Sequence, residues 1–128
     1  MNELSIKLES NKPVEQLTAD LEKASVENQF RVLAVHDVQA TLAEKGFERE
    51  PLKIVEVCNA GFAHEALNKD IDVSMFMPCK FTVYTENNKT VLNLARPTVI
   101  SKMLPQAGLD KLAEEVEKRL KKIMESVI

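Results

Sequence analysis

Hydrophobic and polar residues alternate near the start of the chain, where Leu4, Ile6 and Leu8 are separated by polar residues. This period of two predicts a strand with one buried face. Asn11 and Pro13 follow and mark the start of a helix that extends to about residue 28. The apolar face of this helix is predicted to consist of Leu17, Leu21 and Ala24.

Two further strands are predicted at residues 30–36 and 51–57, which are rich in Val, Leu and Ile. Between them, Asp37 is suited to cap a short helix, and Gly46 stands where a left-handed residue ends it. Asn59 caps the next predicted helix in the same way. The inward face of that helix is expected to comprise Phe62, Ala63, Ala66 and Leu67.

Residues 73–84 carry an apolar side chain at every second position, which predicts one long strand. Pro78 lies within it and cannot donate a ladder hydrogen bond, so we expect the strand to lie at a sheet edge there or to be broken by a bulge. Residues 86–89 are a predicted hairpin turn, because Asn tolerates a positive φ, and residues 90–95 return as the partner strand. The apolar positions are Val73, Met75, Met77, Cys79, Phe81 and Val83.

A short helical segment is predicted at residues 98–104, and a long last helix at residues 110–128. The element order is therefore β-α-β-α-β-α-β-β-α. We predict a single α+β domain over residues 1–128, in which helices cover a mainly antiparallel sheet. The apolar face of the last helix is expected to be Leu112, Val116, Leu120, Ile123 and Val127.

Composition and charge limit the classes of partner. The chain of 128 residues is 45% hydrophobic and 29% charged, which is typical of a globular protein. Its net charge is -3, so no broad positive field attracts nucleic acid or an anionic membrane, and neither is expected as a partner. The N-terminus does not resemble a signal peptide, and no apolar run is long enough to cross a bilayer. We therefore expect a cytoplasmic protein.

Cys58 and Cys79 are the two cysteines, and free thiols are expected in that compartment. Cys58 directly precedes the cap residue Asn59, and the positive end of a helix dipole lowers the pKa of a thiol at such a position, which would make Cys58 reactive. The alternative, which we favour, is that Cys58 packs against the helix as a small hydrophobic residue. Cys79 lies on an apolar face, where burial makes a thiol inert. If the sheet brings the two together, they form a dithiol or a soft-metal site.

Glu56 shares its strand face with Ile54 and Cys58. If the carboxylate of Glu56 is half-buried beside the thiol, its pKa is raised and it can act as a proton acceptor. The favoured interpretation is that Glu56 lies where this face of the sheet opens to water. A four-ligand zinc site would need His36 and His64, and the spacings match no closed site, so no metal is predicted. Phosphate-binding and dinucleotide-binding glycine patterns are absent, and no cofactor is expected.

The cysteine motifs carry a resemblance to a known family. Cys58 and Asn59 open an alanine-rich helix, and Pro78 and Cys79 follow about twenty residues later, ahead of a Val-rich strand. This pair of motifs, together with residues 36–67, resembles the domain of unknown function 302 family over nearly the whole chain. The resemblance implies a TBP-like α+β fold and a homodimer, and it implies no established reaction.

The chain departs from the family pattern at four places. Ala60 stands where proline often follows the Cys-Asn pair, Glu56 replaces a small residue, and residues 75–77 replace a Leu-rich run. Arg96 precedes Pro97 where an Asp-Pro pair is common. A mechanism that needs an acidic side chain at position 96 is therefore not expected here.

The leading hypothesis is a small cytoplasmic binding or interaction module that acts as a homodimer through a sheet edge or the methionine-containing strand. The methionines are expected in the core or a dimer seam, with a pocket for a small-molecule ligand as the alternative. The second hypothesis is a thiol-dependent enzyme, or a soft-metal or thiol carrier. The candidate site residues are Glu56, Cys58, Asn59, Pro78 and Cys79.

Overall fold

The computed structural model describes residues 2–128 and places five strands in one sheet. All neighbouring strands are antiparallel, and their order across the sheet is β1-β5-β4-β3-β2. This arrangement confirms the predicted α+β class with an antiparallel sheet. The strands are β1 (Ser5–Ser10), β2 (Arg31–Asp37), β3 (Leu52–Cys58), β4 (Cys79–Glu86) and β5 (Lys89–Ala95).

Helices connect most of the strands. Two short 3-10 helices cover Ile71–Phe76 and Pro105–Ala107 and supplement the α-helices. The connection between β4 and β5 is the predicted hairpin, in which Asn87 and Asn88 have φ values of 53° and 61°. The α-helices are α1 (Val14–Glu27), α2 (Val38–Ala43), α3 (Ala60–Lys69), α4 (Pro97–Met103) and α5 (Asp110–Val127).

The hydrophobic core lies between one face of the sheet and the helices α1 and α5. Leu17 and Leu21 of α1 and Leu120 of α5 are completely buried, as their spacing in the sequence predicted. Leu4 is an exception to the predicted pattern, because it precedes β1 and is exposed. The strands contribute Val55, Val57, Phe81, Val83, Leu92 and Leu94 to the same core.

The prediction of one strand over residues 73–84 is wrong. The side chain of Asp70 accepts a hydrogen bond from the backbone N–H of Asp72 at 2.9 Å and begins the 3-10 helix Ile71–Phe76. In that helix the residues at positions i and i+3 share a side, so Val73 and Phe76 face inward together and the every-second spacing of a strand no longer applies. Val73 is buried, whereas Met75 is 81% exposed.

β4 is a central strand, which corrects the expectation that Pro78 marks an edge or a bulge within it. The strand begins at Cys79, so Pro78 lies just outside the ladder and its missing N–H leaves no hydrogen bond unmade. The sheet edges are β1 and β2 instead. Because Met75 and Met77 lie outside the strands, no methionine-containing strand is present in residues 73–84 to form a dimer seam.

Candidate functional site

A pocket of about 90 Å³ opens beside the core, where the adjoining ends of β3 and β4 meet α3, α4 and α5. Its walls are almost entirely apolar, and they come from five separate parts of the chain. The largest contributions are from the helical segments, which supply Phe62, Ala63, Ala66, Val73, Phe76, Pro97, Ile100, Ser101, Leu109, Leu112, Ala113 and Val116. The remaining lining residues are Phe30, Val57, Cys58, Asn59, Met77, Pro78 and Cys79.

Asn59 fixes the position of α3 at the pocket. Its Oδ1 accepts a hydrogen bond from the backbone N–H of Phe62 at 3.0 Å, which confirms the predicted cap. Its Nδ2 donates to the carbonyl oxygen of Gln29 at 3.1 Å. Gln29 has a φ of 64° in the connection between α1 and β2. One side chain therefore ties the start of α3 to the start of the neighbouring edge strand.

Phe62 forms one wall of the pocket and is held from two sides. Its ring lies 6.3 Å from the ring of Phe30, centroid to centroid, in a tilted arrangement. The guanidinium carbon of Arg119 lies 5.2 Å from the centroid of the Phe62 ring. These contacts, from Phe30 directly before β2 and from Arg119 on α5, keep this wall in place.

The two cysteines lie at the adjoining ends of neighbouring strands. Cys58 is the last residue of β3, and Cys79 is the first residue of β4 and pairs with Val57. Both cysteines are half-buried, and both line the pocket. Burial, and after it the charge of Cys58, raises the pKa of Cys79 to about 11. Cys79 is therefore a protonated thiol at neutral pH, as its apolar position predicted.

Met77 and Pro78 complete this side of the pocket. They connect the 3-10 helix to β4 through a cis peptide bond, and both are half-buried. Met77 faces a different environment from Met75, which is exposed to solvent. The pocket is thus lined by three sulfur-containing residues, namely Cys58, Met77 and Cys79.

Glu56 does not line the pocket. It pairs with Lys80 in the sheet, and its Oε1 lies 2.7 Å from Nε2 of His36 on β2. Neighbouring residues along a strand point to opposite faces, so Glu56 lies on the face opposite Val57 and the core. This agrees with the favoured interpretation of an outward face, where the carboxylate of Glu56 contacts His36.

The histidines are also occupied elsewhere. His64 is exposed on α3, as predicted, and its Nε2 lies 3.2 Å from Nδ2 of Asn68. Within residues 2–128 no group of three or more His, Cys, Asp and Glu side chains is arranged to hold a metal ion. The same residues contain no helix with the length and apolar character that a bilayer crossing requires.

A cluster of polar residues that sequence reasoning missed joins α4 to α5 behind the pocket. Oε1 of Glu117 accepts hydrogen bonds from the hydroxyl of Thr98 at 2.7 Å and from its backbone N–H at 3.3 Å. Oε2 of Glu117 lies 3.2 Å from the guanidinium of Arg96. Burial opposes ionisation of Glu117, but the hydrogen bonds from Thr98 and Arg96 outweigh it and lower the pKa of Glu117. The cluster anchors the helix that carries Ile100 and Ser101.

Comparison with known proteins places the chain in a family. The family described as Domain of unknown function DUF302 matches residues 6–127. The chain belongs to the DUF302 family. Its structure is also similar to the crystal structure of an uncharacterized conserved protein DUF302 from Bacillus stearothermophilus. That comparison has a TM-score of 0.94 and 30% sequence identity, and it covers 99% of this chain and 100% of the other.

The DUF302 assignment confirms the resemblance that the cysteine motifs indicated. A comparison with curated proteins gives no match. The family therefore supplies the fold of this DUF302 protein and no reaction, and any function has to be inferred from the pocket itself.

Proposed function

We propose that this DUF302 protein is a small cytoplasmic binding module that acts as a homodimer and holds a small apolar ligand in the pocket. The open apolar pocket is the observation that carries this proposal, because protein interiors are otherwise close-packed. Ligand sites are typically concave, apolar and few in a protein.

The size of the pocket limits the ligand. Its volume of about 90 Å³ is well below the roughly 300–1,000 Å³ of pockets for drug-sized molecules. Apolar cavities on the order of 150 Å³ remain dry and accept benzene. The ligand is therefore a molecule of a few heavy atoms, or the apolar end of a larger one.

The polar groups at the pocket favour binding over catalysis. The hydroxyl of Ser101 donates to the carbonyl oxygen of Thr98 at 2.8 Å, so it is not directed at a ligand. Asn59 uses its side chain to cap α3, and the raised pKa of Cys79 keeps that thiol protonated. Of the predicted site residues, Cys58, Asn59, Pro78 and Cys79 line the pocket, and Glu56 does not.

Benzene titration tests the ligand proposal. Methyl resonances of Ala63 and Val73 should shift on saturation, since both residues line the pocket.

Ala66→Leu fills the pocket from α3, whereas Ala60→Leu adds the same atoms at an exposed position of the same helix. We expect Ala66→Leu to abolish the shifts and Ala60→Leu to retain them. Circular dichroism establishes that both variants fold, and Ala63→Leu is a second filling variant. Shifts that persist in both filling variants contradict binding in this pocket.

The exposed edge of β2 supports the homodimer. Leu33 is 50% exposed and Val35 is 38% exposed at this edge. If a second copy of β2 pairs antiparallel about Ala34, Arg31 stands opposite Asp37 of the second copy. A positive and a negative side chain then face each other at each end of the paired strands. The interface is therefore self-complementary, as a two-fold dimer requires.

Light scattering coupled to size exclusion tests the homodimer at micromolar concentration. Leu33→Lys places a charge on the proposed interface and should yield monomers. Val26→Lys is the matched control, because Val26 is an equally apolar and exposed residue on α1. A wild-type protein that is monomeric throughout, or equal effects of the two variants, would rule out the β2 interface.

A thiol-dependent enzyme or thiol carrier is the second candidate function, and the location of both cysteines at one pocket favours it. In this role Cys58 is the accessible thiol at the start of α3, and Cys79 is its protonated partner. Alkylation of Cys58 at neutral pH should be faster than that of a model peptide thiol. A rate equal to the peptide rate removes the basis for an enzyme.

A further inference from the structure

Another concave site, which we call the polar cleft, lies at the opposite end of the sheet from the apolar pocket. Strand β4 begins with Cys79 at the pocket, and its other end contributes Thr85 to the cleft. The volume of the cleft is about 640 Å³, which lies within the roughly 300–1,000 Å³ of pockets for drug-sized molecules. The polar lining of the cleft includes Asn11, Glu15, Lys53, Thr85, Asn88 and Thr90.

The hydroxyl of Thr90 is a buried polar group at this cleft. Thr90 is 7% exposed, and it lies on the same face of β5 as the core residue Leu92, which is the face that the helices cover. Across residues 2–128, no backbone or side-chain group forms a hydrogen bond with this hydroxyl. Buried hydroxyl groups are nearly always hydrogen-bonded, so the expected partner of Thr90 is a ligand in the cleft.

The start of α1 supplies hydrogen-bond donors to the same cleft. The cap residue is Pro13, whose side chain accepts no hydrogen bond from the helix. The N–H of Leu17 donates to the carbonyl oxygen of Pro13 at 2.9 Å, so the N–H groups of residues 14–16 have no acceptor within the helix. The positive end of the dipole of this 14-residue helix also lies here, and such helix starts bind phosphate groups.

Lys53 adds a cation whose counter-ion is exposed to solvent. The side chain of Lys53 is only 15% exposed, and its Nζ lies 2.7 Å from Oε1 of Glu15 in the first turn of α1. The side chain of Glu15 is 80% exposed, and ion pairs at the surface contribute little to stability. An anion from solvent can therefore replace the carboxylate of Glu15 beside Lys53 and accept hydrogen bonds from α1 at the same time.

The separation of Thr90 from Lys53 indicates the size of the ligand. Thr90 is on β5 and Lys53 is on β3, with β4 between them. Neighbouring strands are about 4.8 Å apart, so the two residues are separated by on the order of 10 Å, which is more than a free phosphate ion spans. A ligand that contacts both therefore carries a polar body beyond its anionic group.

We propose that the polar cleft binds a phosphorylated sugar. The phosphate group lies between the ammonium of Lys53 and the first turn of α1, in the place of the Glu15 carboxylate. A phosphate group suits this position better than a carboxylate, because it has three acceptor oxygens for the helix N–H groups and the cation. The sugar extends across β4, where its hydroxyls form hydrogen bonds with Thr85 and Thr90.

Glucose 6-phosphate is the probe, and glucose and glucuronate are its neutral and carboxylate counterparts. The full-length protein is titrated with each compound in phosphate-free buffer of low ionic strength and observed by NMR. We expect glucose 6-phosphate to shift the backbone amide resonances of Glu15 and Gln16, and glucose not to bind. Glucuronate should bind about 10-fold more weakly than glucose 6-phosphate, because an acceptor oxygen is lost. Absence of glucose 6-phosphate binding, or equal binding of glucuronate, overturns the proposal.

Thr90→Val tests the buried hydroxyl, because it removes the hydroxyl group and keeps the branched shape of the side chain. We expect it to weaken the binding of glucose 6-phosphate by roughly 5–10-fold. Thr82→Val is the matched control, since Thr82 alternates with the core residues Phe81 and Val83 along β4 and lies on the opposite face of the sheet. Equal effects of the two variants overturn the assignment of Thr90.

Lys53→Met and Glu15→Gln should change the affinity in opposite directions. Lys53→Met removes a charged hydrogen-bond donor and should weaken binding by at least about 10-fold. Glu15→Gln removes the carboxylate that competes with the phosphate and should strengthen binding about 2–5-fold. Lys80→Met is the control, because Lys80 is exposed on β4 on the other face of the sheet, and it should have no effect.

Circular dichroism verifies that these variants fold, and Lys53→Gln replaces Lys53→Met if that variant does not. An unchanged affinity in the Lys53 variant overturns the phosphate position. Weaker binding in Glu15→Gln likewise overturns it, because the phosphate would then not take the place of the Glu15 carboxylate.

Discussion

Cys79, the first residue of β4, pairs with Val57 of β3, the residue directly before Cys58. Burial, followed by the charge of Cys58, raises the pKa of Cys79 to about 11. Cys79 therefore stays a protonated thiol at neutral pH chiefly because it is buried.

Alkylation by iodoacetamide should distinguish Cys79 from an ordinary thiol. With a pKa of about 11, about one Cys79 side chain in a thousand is a thiolate at pH 8, compared with about one in ten for the usual pKa of 9.0. We expect Cys79 in the native protein to react at least about 50-fold more slowly than a model peptide thiol. Peptide mass mapping gives the rate at Cys79, and unfolding in urea should restore the ordinary rate. A native rate equal to that of the peptide would contradict the buried position.

Stability should fall in alkali because of Cys79. Its folded-state pKa is raised above the usual 9.0, so its contribution to stability is fully present below pH 9 and is lost as pH rises toward 11. Relative to Cys79→Ala, the free energy of unfolding of the wild type should decrease by about 2 kcal/mol between pH 8 and pH 10.5. Urea unfolding of both proteins gives this difference, in which other titrating groups cancel. A difference independent of pH would disprove the prediction.

Glu117 should contribute more to stability than its neighbour Glu115. Glu117→Gln removes the carboxylate that accepts hydrogen bonds from Thr98 and Arg96, and we expect a loss of about 2 kcal/mol at pH 7. Glu115→Gln, at an exposed pair with Arg119 on the same helix, should change stability by less than about 0.5 kcal/mol. Denaturant unfolding measures both.

The pH dependence provides a second test of Glu117. Its pKa is lowered in the folded state, so its contribution is present above the unfolded-state value of 4.5 and is lost as pH falls below it. The wild type should therefore lose its advantage over Glu117→Gln in acid. An advantage that persists at pH 2 would show that packing, and not the charge, accounts for the effect.

Asn59 should stabilise the start of α3 through its side chain. Asn59→Ala removes the cap on Phe62 and the contact with Gln29, and we expect a loss of about 1–2 kcal/mol in the free energy of unfolding. Asn59→Asp keeps an acceptor for the cap and should recover part of this loss. Asn68→Ala alters an exposed asparagine near the other end of the same helix and should have an effect below about 0.5 kcal/mol. Equal losses at the two positions would contradict the cap.

The local pattern of the sequence predicted the elements whose hydrophobic period is unambiguous. Long amphipathic helices such as α1 and α5 bury the predicted faces, because a period of 3.6 over more than ten residues fits few other structures. The caps Asp37 and Asn59 and the turn at Asn87 and Asn88 were also predictable, since each depends on the chemistry of one or two residues.

The segment of residues 73–84 shows where pattern alone was insufficient. Alternating apolar residues fit a strand, but the cap at Asp70 and the proline at position 78 favoured a 3-10 helix followed by a shorter strand. The order of the strands was likewise not contained in the pattern. Only the complete sheet shows β4 in the centre and β2 at an edge, because strand neighbours are selected by packing between distant parts of the chain.

The sequence by itself determined the α+β class, the caps and the apolar position of Cys79, because these follow from the properties of neighbouring residues. Tertiary structure alone decided that Cys58, Met77 and Cys79 line one pocket and that Glu56 lies on the other face. It also decided that α4 and α5 close this pocket through Arg96 and Glu117. The physical reason is that a pocket is formed by surfaces from separate elements, and their relative positions are set by the packing of the whole core.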